Sequence, residues 1–183
     1  MAITNYRVGI VGLSGITAGA PDPAPKPLRN AISNSHTYCI SLLDDMDIVG
    51  VCDLVPERVE DFDRRWRDRF PNAKRYTDYR EMIRKESLDI LTVATGDDKH
   101  ADIAVDGVNA GIRGLFVEKP LATTLDDADR ILHACENRGV PISVGHTGRW
   151  QRPYHAVRDV IRSGALGPLH NIITVLGGSR AML

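Results

Sequence analysis

The feature that most constrains the fold of this sequence is a series of short aliphatic segments in which apolar and polar residues do not alternate. Five of them are Arg7 to Gly12, Asp47 to Cys52, Leu88 to Ala94, Gly114 to Val117 and Pro141 to Gly145. Runs of this kind are typical of parallel strands that are buried on both faces of a sheet. Because segments with helical periodicity lie between them, the order of elements predicts an α/β fold with a doubly wound parallel sheet.

Amphipathic patterns predict helices over Pro56 to Phe70, His100 to Ala110 and Tyr154 to Ser163, and a further helix after Thr124. Their apolar residues recur every three or four positions, as on a helix that covers a sheet. In the helix after Thr124, the predicted buried stripe consists of Leu125, Ala128, Ile131, Leu132 and Cys135. Gly139 is expected to end that helix, because glycine is the preferred residue just past a helix C-terminus.

Two segments depart from the regular alternation. The stretch from Ala18 to Asn34 contains four prolines and predicts a loop inserted before the first helix, which is expected to begin near Ser35. The prolines are Pro21, Pro23, Pro25 and Pro27. The β-like run from Leu169 to Leu176 is expected to open a second sheet. We therefore predict a first domain over residues 1–150, and a linking helix with the start of a second domain over residues 151–183.

Length limits the number of domains, and charge gives no support for two classes of partner. A chain of 183 residues is long enough for one domain and short for two. Its 23 basic and 24 acidic residues nearly cancel, which gives no electrostatic argument for binding nucleic acid or an anionic membrane surface. No apolar run approaches the ~20 residues of a membrane helix. We expect a cytoplasmic protein whose three cysteines, Cys39, Cys52 and Cys135, are buried free thiols rather than disulfide partners or zinc ligands.

A glycine-rich turn, Gly12-Leu13-Ser14-Gly15-Ile16, follows the first predicted strand. Glycines in such a turn permit a tight backbone and allow amide groups to approach a pyrophosphate. The usual pattern is G-x-G-x-x-G, and Ser14 and Thr17 occupy its second and third glycine positions here. The turn indicates a dinucleotide phosphate site, although a turn without a ligand would have a similar composition.

An acidic residue, Asp53, stands at the end of the second predicted strand. A carboxylate there accepts hydrogen bonds from both hydroxyls of an adenosine ribose, and it repels a 2′-phosphate. Leu54 follows, with no Arg or Ser beside it to hold such a phosphate, so NAD is favoured over NADP. The alternative is that Asp53 only caps the helix that begins at Pro56.

Polar segments also follow the later strands. Thr95, Gly96 and His100 come after the third strand, where they either line a ligand site or serve a helix that Asp97 or Asp98 caps.

Glu118-Lys119-Pro120 ends the fourth strand and places an amine on the rim of the sheet, where open α/β folds bind ligands. A lysine beside a nicotinamide can exchange a proton with a substrate hydroxyl; the alternative is an ordinary Glu–Lys pair on a loop. After the fifth strand, Arg149 is a candidate for contacting the cofactor or a substrate oxygen, and His146 is a weaker one.

The order of these motifs resembles that of the Gfo/Idh/MocA oxidoreductase family, which includes sugar and inositol dehydrogenases. The resemblance extends from Arg7 to about Gly178. Its motifs are the glycine-rich turn, the acid at Asp53, a Thr-Pro-x-x-x-His segment whose proline is Gly96 here, the unchanged Glu118-Lys119-Pro120, the Arg149-Trp150-Gln151-Arg152-Pro153 stretch and the Gly164-Ala165-Leu166-Gly167 turn.

The resemblance implies hydride transfer between nicotinamide and a hydroxyl-bearing carbon of a sugar, polyol or cyclitol, with NAD as the cofactor and Lys119 as the catalytic residue. It also implies a cis bond before Pro120 and cofactor contacts from the glycine-rich turn, Asp53, Thr95, Gly96, His100, Glu118, Lys119 and Arg149. The family's substrate-binding domain would follow this chain, so we expect an incomplete enzyme that can form a homo-oligomer when complete. Two alternatives are a non-catalytic NAD-binding module or sensor, and a domain of this fold that binds another ligand.

Overall fold

The computed structural model describes residues 5–19 and 35–174 of the chain. The chain divides into two compact units, Met1–Gly145 and His146–Leu183. The first contains a six-stranded sheet in which every pair of neighbouring strands is parallel. Its strands are β1 (Tyr6–Val11), β2 (Met46–Cys52), β3 (Lys74–Tyr76), β4 (Ile90–Val93), β5 (Gly114–Val117) and β6 (Ile142–Val144).

The strand order across the sheet is β3-β2-β1-β4-β5-β6. The chain first moves outward from β1 to β3 and then returns to the other side of β1, so β1 and β4 form the point where the direction of winding reverses. Loops that leave the carboxyl ends of two such strands turn to opposite faces of the sheet and open a crevice between them. The strand order therefore predicts where a ligand site lies before any side chain is considered.

Among the residues that the structure describes, six helices connect these strands. They are α1 (Gly15–Ala18), α2 (His36–Ser41), α3 (Pro56–Trp66), α4 (Tyr79–Glu86), α5 (His100–Asn109) and α6 (Leu125–Arg138), and a 3₁₀ turn at Asp97–Lys99 precedes α5. The second unit contains a 3₁₀ turn at Thr147–Trp150 and helix α7 (Arg152–Arg162). Within the described ranges, no helix combines the length and apolar character needed to span a bilayer.

Two hydrophobic clusters use alternate side chains of the same strands. Val8 and Ile10 of β1 pack with the apolar residues of α3, whereas Val11 packs in the cluster that contains α4 and α5. Successive side chains of a strand point to opposite faces of the sheet, so each cluster occupies one face. This arrangement explains why the strands have no alternating polarity.

Most predicted elements are confirmed, with small changes at their ends. All five expected strands are present, Ser35 caps α2 by accepting a hydrogen bond from the Tyr38 amide, and Gly139 ends α6 with φ of 65°. The missed elements are β3, α4 and the short helix α1, which includes Ala18. The remainder of the proline-containing segment, residues 20–34, lies outside the described residues.

The prediction of a strand from Leu169 to Leu176 is wrong over the described part of that run. Residues 169–174 form no strand, and residues 175 and 176 lie outside the described ranges. Ile172 and Ile173 are exposed. A strand needs a neighbouring strand to pair its amide and carbonyl groups, and none of the described strands pairs with this run.

Two predictions of burial are also wrong. Cys39 is exposed, whereas Cys52 and Cys135 are buried as expected, and all three are free thiols. In α6, Ile131 and Cys135 are buried but Leu125 is 83% exposed and Leu132 is exposed. Leu125 is the first residue of the helix, and helical side chains point back toward the N-terminus. Its side chain therefore extends beyond the surface that the rest of the stripe covers.

The contrast between two leucines tests this description of the core. Leu91 of β4 is fully buried, whereas Leu125 is exposed. We expect Leu91→Ala to lower the free energy of unfolding by about 2–5 kcal/mol, because it leaves a cavity, and Leu125→Ala to change it by less than about 0.5 kcal/mol. Urea denaturation followed by circular dichroism measures both. Similar losses for the two variants would contradict the assignment of Leu125 to the surface.

Candidate functional site

A cavity of about 630 Å³ opens at the carboxyl ends of β1, β2 and β4. It is within the size range of cofactor pockets. Its lining comes from the ends of these strands and from the first turns of the helices that follow β2, β3 and β4. The residues that later arguments use are Gly12, Leu13, Ser14, Asp53, Arg58, Arg80, Thr95 and Gly96.

Gly12 lies between the ends of β1 and β4, where the two backbones are in close contact. Its φ is +92°, and a Cβ atom there would lie 2.3 Å from the Ala94 carbonyl oxygen. Its amide donates to the Cys52 carbonyl oxygen at 2.8 Å. Only glycine satisfies both the backbone conformation and the contact. Gly12 thus allows the loops after three strands to face one cavity.

Hydrogen bonds hold Ser14 and Thr17, which stand where the usual pattern has its second and third glycines. Thr17, at the third glycine position, is fully buried, and its hydroxyl donates to the Gly12 carbonyl oxygen at 2.6 Å. Ser14 lines the cavity and precedes α1, where its carbonyl accepts from the Ala18 amide at 2.8 Å. Gly15 and Ile16 are exposed and do not line the cavity.

Asp53 connects the glycine-rich turn to the end of β2. Its buried carboxylate accepts from the Leu13 amide through Oδ2 at 2.8 Å and from the Val55 amide through Oδ1 at 2.9 Å. Arg58 Nη1 lies 3.5 Å from Oδ2. Each carboxylate oxygen can accept two hydrogen bonds, so Oδ1 retains capacity for a hydroxyl in the cavity. Asp53 therefore supports the turn and presents an acceptor to a ligand at the same time.

His100 connects two loops instead of lining the cavity. It is fully buried; its Nδ1 lies 2.8 Å from the Pro120 carbonyl oxygen, and its Nε2 lies 3.3 Å from that of Thr95. Thr95 and Gly96 do line the cavity. Of the three residues predicted to act together in this segment, the structure places two at the cavity and the third behind them.

The Glu118-Lys119-Pro120 segment leaves the end of β5, beside β4. The Glu118 amide donates to the Val93 carbonyl oxygen at 2.8 Å, which continues the pairing of the two strands. The Glu118 side chain is buried, Lys119 is exposed, and the bond between Lys119 and Pro120 is cis, as expected. Among the described residues, the Lys119 amine has no hydrogen-bond or ion-pair partner. Lys119 is therefore an exposed residue at the carboxyl end of β5, with no polar partner in the described part of the chain.

Arg149 and His146 belong to the second unit. Arg149 is exposed in the 3₁₀ turn, and its carbonyl oxygen lies 2.7 Å from Nε2 of His155. The predicted contact between Arg149 and a cofactor therefore stays a prediction.

Sequence reasoning missed the cavity residues that β3 and α4 supply. Thr77 follows β3, and Tyr79 and Arg80 begin α4. Arg58, in the first turn of α3, was missed as well, although Asp53 at the end of the preceding strand was recognised. The signal that identifies Arg58 is its place one helical turn after a strand that ends at the ligand edge. Arg80 gave no such signal, because the strand before it was not predicted.

A cysteine also lines the cavity without contributing a reactive group. Burial, together with the smaller effects of the Asp53 and Asp78 carboxylates, raises the pKa of the Cys52 thiol to about 12. A thiol is nucleophilic only as the thiolate. Cys52 therefore stays protonated near neutral pH and forms part of the apolar wall.

Three features define a dinucleotide-binding domain of the Rossmann class. They are a crevice where the winding of the sheet reverses, a glycine that no residue with a Cβ atom can replace, and a buried acid at the end of β2. The chain also matches the sequence model of the Gfo/Idh/MocA family, described as an oxidoreductase family with an NAD-binding Rossmann fold, over residues 6–146. It belongs to this family.

Curated relatives agree with the family assignment. The chain is 33% identical over 135 residues to D-apiose dehydrogenase from Paraburkholderia graminis, which corresponds to 74% of this chain and 35% of that protein. It is 31% identical over 124 residues to inositol 2-dehydrogenase from Salmonella typhimurium, or 67% of this chain and 35% of that protein. The chain therefore spans about a third of the length of these relatives.

Solved structures share the fold. An oxidoreductase from Agrobacterium radiobacter in complex with NAD+, L-tartaric acid and magnesium superposes with a TM-score of 0.72 at 23% identity, covering 90% of this chain and 42% of that one. The WlbA dehydrogenase from Bordetella pertussis, in complex with NADH and UDP-GlcNAcA, gives a TM-score of 0.72 at 25% identity, covering 90% and 41%.

Two glycines with similar backbone angles test the role of the close contact between Gly12 and Ala94. Gly12 and Gly111 have φ of +92° and +96°, but only Gly12 has atoms where a Cβ would lie. We expect Gly111→Ala to lower the free energy of unfolding by about 1–2 kcal/mol, from backbone strain alone. Gly12→Ala adds a backbone clash and should cost about 3–5 kcal/mol. Chemical denaturation measures both losses, and equal values would show that the strand ends can separate at no cost.

Proposed function

We propose that this chain is the cofactor-binding part of a dehydrogenase that transfers hydride between NAD and the hydroxyl-bearing carbon of a sugar, polyol or cyclitol. The observation that carries the proposal is the exposed Lys119 amine, for which the described residues supply no hydrogen-bond or ion-pair partner. It lies at the carboxyl edge of β5, the strand beside β4, and β4 ends at the dinucleotide cavity. The names of the relatives, an apiose and an inositol dehydrogenase, support the class of substrate.

The residues present fit NAD. The backbone of Gly12, Leu13 and Ser14 lines the cavity where a phosphate would approach, and the Asp53 carboxylate offers Oδ1 to a ribose hydroxyl. The negative charge of Asp53 disfavours a 2′-phosphate in the same place. Arg58 and Arg80 line the cavity as well, and Arg58 offsets part of that charge. We therefore propose a preference for NAD over NADP that depends on Asp53.

We assign the role of acid–base group to Lys119. When bound, NAD supplies the carbon that accepts a hydride from the alcohol carbon, and the hydroxyl proton must leave as the carbonyl forms. A neutral Lys119 amine accepts that proton, and the resulting ammonium returns it in the reverse direction. Because the amine has no partner among the described residues, it need not break an ion pair to reach a substrate oxygen.

Cofactor preference is tested with Asp53→Asn. The substitution keeps the shape and one acceptor oxygen but removes the charge. We expect NAD+ affinity to fall about 10- to 100-fold, because a charge-assisted hydrogen bond to the ribose is lost, and NADP+ affinity to fall less or to rise. Isothermal titration calorimetry with both cofactors measures the ratio. An unchanged NAD+/NADP+ ratio would remove Asp53 from the ribose site.

The role of Lys119 is tested in the longer protein that includes a substrate domain. We expect Lys119→Ala to lower kcat about 10²- to 10⁴-fold, as for other general acid–base groups, with the Kd for NAD+ nearly unchanged. Lys85→Ala is the matched control, because that amine pairs with Glu81 on α4, which leads away from the cavity. Steady-state assays on a panel of sugars and cyclitols provide kcat. Equal turnover of the Lys119 and Lys85 variants would exclude Lys119 from catalysis.

A further inference from the structure

The Glu118 carboxylate is enclosed by three parts of the first unit. Its Oε1 lies 2.9 Å from Nε2 of His36 on α2, and its Oε2 lies 3.3 Å from the backbone nitrogen of Lys119. A Cβ atom at Gly145, after β6, would lie 2.6 Å from Oε1. The side chain of Glu118 is only 10% exposed. A buried carboxylate is stable only when donors satisfy it. Among the side chains that the structure describes, His36 is the donor to Glu118.

The His36 ring is held in its orientation from two directions. It packs edge-on against Phe116 of β5, with ring centroids 4.7 Å apart and an interplanar angle of 63°. It is also the first residue of α2, next to the cap residue Ser35. Fixed backbone and fixed ring together leave Nε2 aimed at Oε1. The bond to Glu118 is thus a built contact between residues that are 82 positions apart in sequence.

The residue after His36 connects the same helical turn to the glycine-rich turn. The Thr37 hydroxyl donates to the Thr17 carbonyl oxygen at 2.6 Å, in the interior. The Thr17 hydroxyl in turn donates to the Gly12 carbonyl oxygen. The first turn of α2 is therefore bonded on one side to the backbone of the cofactor cavity and on the other side to the segment that carries Lys119.

We propose that His36 is a positioning residue, which acts through Glu118 to fix the backbone of Lys119. The inference rests on the proposed role of Lys119 in hydride transfer. The Lys119 amine has no hydrogen-bond or ion-pair partner among the described residues, so the backbone of Lys119 sets the point from which its side chain extends. The path runs from His36 Nε2–H to Glu118 Oε1, across the carboxylate, and from Oε2 to the Lys119 N–H. Loss of the first bond frees the carboxylate to turn, and the Lys119 amide then loses its acceptor.

Amide hydrogen exchange, followed by NMR on the isotope-labelled chain, tests the path without cofactor or substrate. His36→Gln keeps an Nε2–H donor at nearly the same reach, whereas His36→Leu keeps the bulk and removes the donor. We expect the Lys119 amide to exchange about tenfold faster in His36→Leu, as for one lost hydrogen bond to a charged group, and at close to the original rate in His36→Gln. The Glu118 amide, which donates to Val93, should be unaffected in both.

Thr37→Val is the matched control. It removes a hydrogen bond from the same turn of α2 but leaves His36 in place, so the Lys119 exchange rate should not change. If Thr37→Val accelerates Lys119 exchange as much as His36→Leu does, the effect is a general loosening of α2 and the proposal is wrong. An unchanged Lys119 rate in His36→Leu also overturns it. Should His36→Leu fail to fold, His36→Asn replaces it, because its shorter amide does not reach Glu118.

Catalysis by the longer protein separates this inference from the proposed function. If His36 positions Lys119, kcat falls about tenfold in His36→Leu and is restored in His36→Gln, with the KM for NAD+ unchanged in both. A response of the Lys119 amide combined with normal turnover of Lys119→Ala would leave the positioning path intact and refute the role of Lys119. If Lys119→Ala lowers kcat while the Lys119 amide of His36→Leu exchanges at its original rate, only the role of His36 is refuted.

Discussion

The site depends on the close approach of β1 and β4 at Gly12. The Ala94 amide donates to the Val11 carbonyl oxygen at 2.8 Å, and the Gly12 backbone lies where any Cβ would collide with the Ala94 carbonyl. The Gly12 amide also reaches β2 through Cys52. Three strand ends thereby converge, and the loops that follow them line one cavity. A side chain at this position would separate the strands and remove the crevice that the strand order creates.

Several polar residues that a sequence motif assigns to a ligand have structural roles as well. The Asp53 carboxylate accepts hydrogen bonds from two backbone amides, and the Glu118 carboxylate accepts one from His36. The two ring nitrogens of His100 lie next to the carbonyl oxygens of Thr95 and Pro120. All three residues are buried, and buried polar groups must find hydrogen-bond partners. The consequence is a rigid frame of paired groups around the cavity. Lys119 is left exposed and unpaired among the described residues, so its amine can move without breaking a hydrogen bond of this frame.

The predictable part of the fold is the part with strong local patterns. Uninterrupted aliphatic runs identify five strands because parallel strands are buried on both faces. Strand β3 has only the residues Lys74, Arg75 and Tyr76, and its place at the edge of the sheet is set by pairing with β2. Such a short polar segment has no pattern of its own, so β3 and α4 were missed. The run after Leu169 shows the opposite error, since an apolar composition does not make a strand without a partner.

The residues of the candidate site were predictable where they follow a strand with a recognisable pattern. The glycine-rich turn, Asp53 and the Glu118-Lys119-Pro120 segment each follow a recognisable strand, and all of them lie at the same edge of the sheet. Contacts between distant segments, such as His36 with Glu118, have no local signal. Neither does the burial of His100, because its partners become neighbours only when β4 and β5 pair.

The most direct test of a dinucleotide site at the ends of β1, β2 and β4 is an NMR titration of the isotope-labelled chain with NAD+. Binding at the cavity should shift the amide resonances of Leu13, Ser14, Asp53 and Gly96 along one saturation curve with a single Kd. Amides on the far side of the sheet's ligand edge, such as that of Asp89 before β4, should not move. An absence of shifts at millimolar NAD+, or shifts confined to other residues, would contradict the assignment of the cavity to the cofactor.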